Sequence, residues 1–323
     1  MRYILFLLFT LSVSAFLTFL LFNLPYGAFF KVNSADKVNF FIQQNETFNS
    51  VTQRLLEEEV ILNSTLFKVG ARLYKFDTEV KVGEFEIIRG MSMLEILELI
   101  TGENSKKYDL YVKDCITNWE LRRLLESKYY LINDLNQLTF IEGVYAPDTY
   151  RLSYNTKASE VVDLMRSHQS KIIDFEWRNR QQGLPLKNKN ELLILASIVE
   201  KEAANISEMP RVASVFINRL NKEMRLQSDP TVMFGMDNGN INIRKKLVKS
   251  DLKSNTAFNT YRISGLPPTS ICNPSRKAIH SVANPEDTNF LYFVLTNSNV
   301  HAFSTSFEEH NAKVIRFRRA RGR

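Results

Sequence analysis

Two carboxylates close the stretch LASIVEKEAA, residues 195–204: Glu200 and Glu202, with Lys201 between them. A carboxylic acid at the end of an apolar segment can be carried to the floor of a cleft. Poor hydration of its anion there raises its pKa from about 4.3 toward 6 and makes it a proton donor. Cleavage of a glycosidic bond needs such a donor. Residues two apart on a helix point ~200° apart at 3.6 residues per turn, so at most one of the pair can serve a given cleft. One turn back from Glu200 the same face carries Ala196 and Ser197, small residues that leave room for a ligand. One turn back from Glu202 lie Ile198 and Leu195, which read as core. Helix geometry therefore favours Glu200 as the acid, with Ser197 beside the ligand and Glu202 as the second candidate. The plain alternative is a solvated helix end or an ion pair with Lys201.

Further polar residues gather downstream. RLQSDPTVMFG places Gln227, Ser228 and Asp229 before a proline, and NTAFNTYRISGLPPTSICNPS strings Asn259, Thr260 and Tyr261 onto two proline turns. FLYFVLTNSNVHAFSTSFEEHN reads as a strand pair that brings His301 and Phe303 to a loop, with His310 and Asn311 at a helix. Each has a plain reading too, because Asp-Pro and Gly-x-Pro-Pro make turns in proteins of every kind. No CxxC, HExxH, P-loop or GxGxxG is present, so metal and nucleotide chemistry have no local support. Cys115 and Cys272 read as too few and too widely separated to form a disulfide framework.

The acid needs a helix to carry it. Asn188 and Glu191 stand at the spacing of a side-chain cap, which predicts a helix over about residues 190–204. Leu192, Leu193, Ile194, Leu195, Ile198 and Val199 leave it almost no polar face, and a helix apolar all round is buried. Upstream, VNFFIQ is strand-like, while TFNSVTQRLLEEEVI and STLFKVGARLYKF have helical spacing. GEFEIIRG is a strand closed by glycine. SMLEILELITG opens with Ser92 and Glu95 at capping-box spacing and ends at Gly102. Thr117 and Glu120 repeat that spacing. Residues 38–130 hold no catalytic cluster and read as a binding or positioning module.

The 323 residues carry a net charge of +7 and are 44% hydrophobic, a globular balance with one exception. Tyr3 to Leu24 runs without a charge, long enough for the ~20 residues that span a bilayer. A cleaved signal would have an apolar region of only ~7–15 residues followed by a small-x-small site, and the one such pattern, Val13-Ser14-Ala15, lies inside the run. The short flank before the span places the body of the chain on the far side of the cytoplasmic membrane. PYGAFFKVNSADK reads as a tether, and the tail RFRRARGR suits an anionic partner such as lipid headgroups or a wall polymer. No basic surface interleaved with aromatics supports nucleic-acid binding.

Taken in order, LASIVEKEA, VASVFINRL, LQSDPTV, NTYRISGLPP, LYFV and HAFSTSFEEHN closely resemble the YceG-like endolytic murein transglycosylases, over essentially the whole chain after the tether. The resemblance implies an α+β protein: an anchor at 1–24, a tether at 25–37, a LysM-like α/β module at 38–105 and a mixed α+β catalytic domain at 106–323. It implies a lyase, without metal or cofactor, that cuts the bond between N-acetylmuramic acid and N-acetylglucosamine and closes a 1,6-anhydro ring. Peptidoglycan strands, the cytoplasmic membrane and the wall-synthesis machinery are the implied partners. Carried over by motif, the catalytic glutamate falls on Glu200, and Gln227, Asp229, Thr231, Asn259, Tyr261, His301 and Phe303 fall where residues line or support the glycan cleft. LPPTSICNPS departs from the pattern, which has glycine after the prolines and again after the Asn-Pro. Two rival readings are a hydrolase with Asp229 as second carboxylate and a wall-binding scaffold in which Glu200 is structural. Against the hydrolase, an aspartate in an Asp-Pro-Thr turn is expected to bond its own backbone.

Overall fold

In the computed structural model the charge-free run forms helix α1 (Arg2–Asn23), whose Tyr3–Leu20 stretch, of mean hydropathy 2.2, is long and apolar enough to cross a membrane. The structure describes residues 2–23, 37–76, 79–88, 90–102, 104–240, 246–296 and 300–320. The tether at 25–37 lies, but for Lys37, outside them.

The chain forms two compact units, residues 1–109 with 151–156 and residues 110–150 with 157–323. In the first, β1 (Lys37–Ile42) is followed by α2 (Phe48–Glu57), α3 (Ser64–Leu73), β2 (Gly83–Ile88) and α4 (Met93–Thr101). β1 pairs antiparallel with β2, Phe40 opposite Phe85. Strand alternation turns Phe40, Ile42, Phe85 and Ile87 to one side, where they join Val51, Leu55, Phe67 and Leu97 in a core. Thr47, Asn63 and Ser92 cap the three helices, and Ser92 and Glu95 make the reciprocal pair that their spacing predicts.

The chain runs on through β3 (Lys107–Tyr111), α5 (Asn118–Glu126), the short strands β4 (Leu131–Ile132), β5 (Thr149–Ser153) and β6 (Thr156–Lys157), and α6 (Ala158–Arg178). There follow α7 (Lys189–Glu202), α8 (Met209–Asn221), α9 (Asp229–Asp237), α10 (Arg276–Ala283), the antiparallel pair β7 (Tyr292–Leu295) and β8 (His301–Ser304), and α11 (Phe307–Ala320). α7 is the central element of the second unit. Asn188 caps it by accepting the Glu191 N–H at 3.0 Å, and every residue from Leu192 to Val199 is buried among α6, α8, α9 and α10. The helix ends on Glu202, since Ala203 is already extended.

Small residues on α7 admit main chain, not a ligand. Ser197 is fully buried, and its hydroxyl accepts the Ile271 N–H at 3.0 Å. That segment, 270–275, is fastened on several sides. Cys272 is joined to Cys115 by a disulfide, which corrects the reading of the two cysteines: sequence separation does not limit approach once Ile116 and Asn273 meet in an antiparallel bridge. The Asn273 side-chain oxygen accepts the N–H groups of Gly143 and Tyr145, both at 3.0 Å, and its amide donates to the Ile116 carbonyl at 2.9 Å. Gly143 is required there: its φ is +92°, and a Cβ would lie 2.4 Å from the Ser270 hydroxyl.

Candidate active site

The two carboxylates at the end of α7 go to different helix N-termini. Glu200 accepts the backbone N–H and the hydroxyl of Ser275, both at 2.7 Å, so both its oxygens are engaged. Ser275 in turn caps α10 through the Ala278 N–H. Burial raises the Glu200 pKa, against the two Ser275 bonds, with the Asp114 charge adding to the rise and Lys201 opposing it. Glu202 turns the other way. Its Oε1 accepts the hydroxyl of Ser228 at 2.7 Å, and Ser228, at the N-cap of α9, makes no side-chain cap of its own. Serine at that position normally satisfies a free helix N–H; here the hydroxyl is directed to a carboxyl group instead.

Glu202 lines a cleft of about 700 Å³ together with Arg219, Met224, Arg225, Leu226, Gln227, Asp229, Tyr261, Tyr292, Phe293, Phe307 and His310. Glu200 is not in that lining. Burial pushes the Glu202 pKa up to about 7, the Ser228 bond opposes the rise, neighbouring Asp229 adds to it, and Arg219 and the Asp229 backbone N–H draw it back. The group can therefore be neutral and anionic within the physiological range, as a proton carrier must be. Gln227 holds a left-handed backbone, φ +51°, fixed by its N–H to the Thr260 carbonyl. A non-glycine residue in this region is uncommon and is found at constrained sites. The Tyr261 hydroxyl donates to Asp229 Oδ1 at 2.7 Å, and burial raises the Tyr261 pKa, so the phenol stays protonated. The Asp229 carboxyl thus bonds Tyr261 rather than closing its own turn.

Of the residues expected around the ligand, the structure brings Gln227, Asp229 and Tyr261 to the cleft with Glu202. The others serve as framework. Thr231 is buried and bonds the Ser228 carbonyl and the Thr260 hydroxyl. Asn259 is buried too; its amide donates to the Leu252 and Ser254 carbonyls, and its oxygen accepts the Tyr261 N–H, holding Tyr261 in place. His301 bonds Glu208 through Nδ1 at 2.9 Å and through its backbone N–H at 2.7 Å, and its ring packs on Phe293 behind the cleft wall. Phe303 is core. Arg219, Arg225, Tyr292, Phe293, Phe307 and His310 were not expected as lining. Their motifs, VASVFINRL, LYFV and SFEEHN, contained them, yet helical or strand periodicity alone does not say which face meets a cleft. The His310 ring stacks on Tyr292 with centroids 5.3 Å apart, and burial holds its pKa down, with Arg219 and Lys313 acting the same way, so it is neutral at pH 7.

This division predicts that Glu200→Gln is a stability variant. The amide can accept at only one of the two positions, so the α10 cap weakens by about 0.5–2 kcal/mol while the cleft is unaltered. Thermal melts should show the loss, and turnover per folded molecule should stay within about threefold of wild type, less than the smallest effect of removing a general acid.

The model of the YceG-like family matches residues 40–316. An endolytic murein transglycosylase of Bacillus subtilis is 24% identical over 86% of this chain and 84% of its own length. One of Streptococcus pneumoniae is 32% identical over 54% of this chain and 32% of its own length. The crystal structure of a YceG-like protein from Listeria monocytogenes is 24% identical, covers 86% of this chain and 99% of its own, and superposes with a TM-score of 0.49.

Proposed function

The chain belongs to the YceG-like family, and on that premise we propose that it is a membrane-anchored endolytic murein transglycosylase in which Glu202, rather than Glu200, moves the proton. Supporting this choice is one contrast: both Glu200 oxygens are taken up at the start of α10, whereas Glu202 stands in the cleft, with a pKa near 7, among Asp229, Tyr261 and Gln227. The names of the B. subtilis and S. pneumoniae relatives support the reaction.

In this mechanism neutral Glu202 protonates the oxygen bridging muramic acid to glucosamine as the muramic C1–O bond breaks. The Glu202 carboxylate then takes the proton of the muramic C6 hydroxyl while O6 closes on C1. One carboxyl group is acid and base in turn, and no water is consumed. A hydrolase would instead need a second carboxylate to activate water or attack C1. Among the described lining residues the other carboxylate is Asp229, bonded to Tyr261.

In the same reading α1 holds the chain in the cytoplasmic membrane beside the wall-synthesis machinery, with both units outside. The Cys115–Cys272 disulfide supports an oxidising, extracytoplasmic compartment. Residues 38–105 are a LysM-like module that engages glycan, a reading supported by the strand–helix–helix–strand order of β1, α2, α3 and β2. Residues 106–323 are the catalytic domain. The test is mass spectrometry of the products that the full chain, in detergent, releases from peptidoglycan strands. New muramyl ends are expected to be 1,6-anhydro, lighter by one water than hydrolytic ends. A product pool dominated by reducing muramic ends, lost in Asp229→Asn, would move the protein to the hydrolases.

A further inference from the structure

Arg219 is 7% exposed, and among the described residues its side-chain hydrogen bonds run to main-chain carbonyls: Nε to Leu291 at 2.7 Å, and Nη1 to Leu226 at 2.8 Å and to Arg225 at 3.4 Å. Its guanidinium lies 5.2 Å over the Tyr292 ring. Carbonyls and an aromatic face orient a cation without neutralising it, and among the described residues no carboxylate forms an ion pair with it. A buried charge in that condition is costly unless something nearby compensates it. It stands in the same cleft as Glu202. We propose that Arg219 is the fixed counter-charge of the reaction, a positioning residue that stabilises the Glu202 carboxylate between the loss of one proton and the gain of the next.

The proposal rests on Glu202 as proton carrier and adds what the carrier needs. Neutral Glu202 gains little from a nearby cation, whereas the anion formed on protonating the leaving oxygen gains much, so the interaction favours the later stage over the ground state. Because three carbonyls already hold the guanidinium, no reorganisation accompanies the change of charge. The other ionisable groups that face the cleft act differently. Asp229, at the start of α9, opposes the Glu202 anion; Tyr261, from the proline loop, is held as the neutral phenol by burial and its bond to Asp229; Tyr292, from β7, lies under the Arg219 guanidinium; His310, on α11, is uncharged at pH 7. Arg225 is exposed and screened by solvent. Among the described lining residues Arg219 is the buried cation.

The test is the pH dependence of cleavage in wild type, Arg219→Gln, Arg219→Met and Arg219→Lys, with Glu202→Gln run beside them. Activity should fall as pH rises through the Glu202 pKa, since the acid must start protonated. Removing the positive charge makes the carboxylate harder to form. In both neutral variants the falling limb should therefore move up by about one pH unit, while kcat drops about 10–100-fold and KM changes far less. Arg219→Lys should keep the limb where wild type has it. Should Arg219→Gln not fold, Arg219→Met refills the volume without a charge and carries the same comparison. A lower rate with an unmoved limb in a folded neutral variant overturns the proposal and leaves Arg219 as a clamp on Leu226 and Leu291. An active Glu202→Gln would instead overturn the assignment of the proton carrier itself, which separates the two failures.

Discussion

Glu202→Gln is expected to abolish murein cleavage, lowering kcat by about 10²–10⁴-fold with the fold intact, because the amide is isosteric but can neither donate nor receive the travelling proton. The Ser228 hydroxyl can still donate to the amide oxygen, so the mouth of α9 should keep its shape. The same substitution carries a stability signature of known sign. Folding raises the Glu202 pKa from 4.5 to about 7, so the folded chain binds the proton more tightly than the unfolded chain. Wild-type stability is therefore highest, as far as this group is concerned, below pH 4.5, falls as pH rises toward 7, and stays low above it. The amide of the variant does not ionise, so Glu202→Gln should exceed wild type by about 1–3 kcal/mol at pH 8 and match it near pH 4. Urea melts at the two pH values check the second part, and end-group analysis of digested strands checks the first. If Glu202→Gln cuts and Glu200→Gln does not, the roles of the two carboxylates are the reverse of those given above.

Removal of the Cys115–Cys272 bridge should produce the largest loss of stability. The bridge closes a loop of 157 residues, and freeing it returns entropy to the unfolded chain worth about 3–5 kcal/mol, or about 6–20 °C in Tm for a unit of this size. The paired Cys115→Ala, Cys272→Ala variant should melt early and be indifferent to reductant, and wild type treated with reductant should melt with it. Because the bridge fastens segment 270–275 and not the wall of the Glu202 cleft, turnover per folded molecule should survive below the melt. An unchanged Tm in the double variant would mean that the bridge of Ile116 to Asn273 and the Asn273 bonds suffice on their own.

The two glutamates differ in what surrounds them, and that difference lies in the packing of distant segments. Small residues such as Ala196 and Ser197 mark close approach, which on a helix face predicts room for a ligand. They do mark it, but the approaching group is the 270–275 main chain, with Ile271 on the Ser197 hydroxyl. Ile198 and Leu195, behind Glu202, are core as expected, and the cleft opens beyond the helix end rather than along its flank. Thr231, Asn259 and His301 share motifs with the cleft residues, yet their side chains bond Ser228, Leu252, Ser254 and Glu208. Ser275, where the pattern has glycine, supplies both donors that occupy Glu200.

What the sequence determined by itself was everything set by neighbours along the chain: the charge-free helix α1, the side-chain caps at Ser92, Thr117 and Asn188, and the burial of α7 from its lack of a polar face. These depend on backbone groups and periodicity within a few residues, so a one-dimensional pattern is enough to specify them. The tertiary structure alone decided which carboxylate faces the cleft, which cysteines meet, and which polar residues line the site rather than brace it. Each of those is a contact between segments dozens of residues apart, formed only when α8, α9 and α10 pack on α7. A buried polar group takes whatever partner the fold brings within about 3 Å, and that partner is not written next to it in the chain.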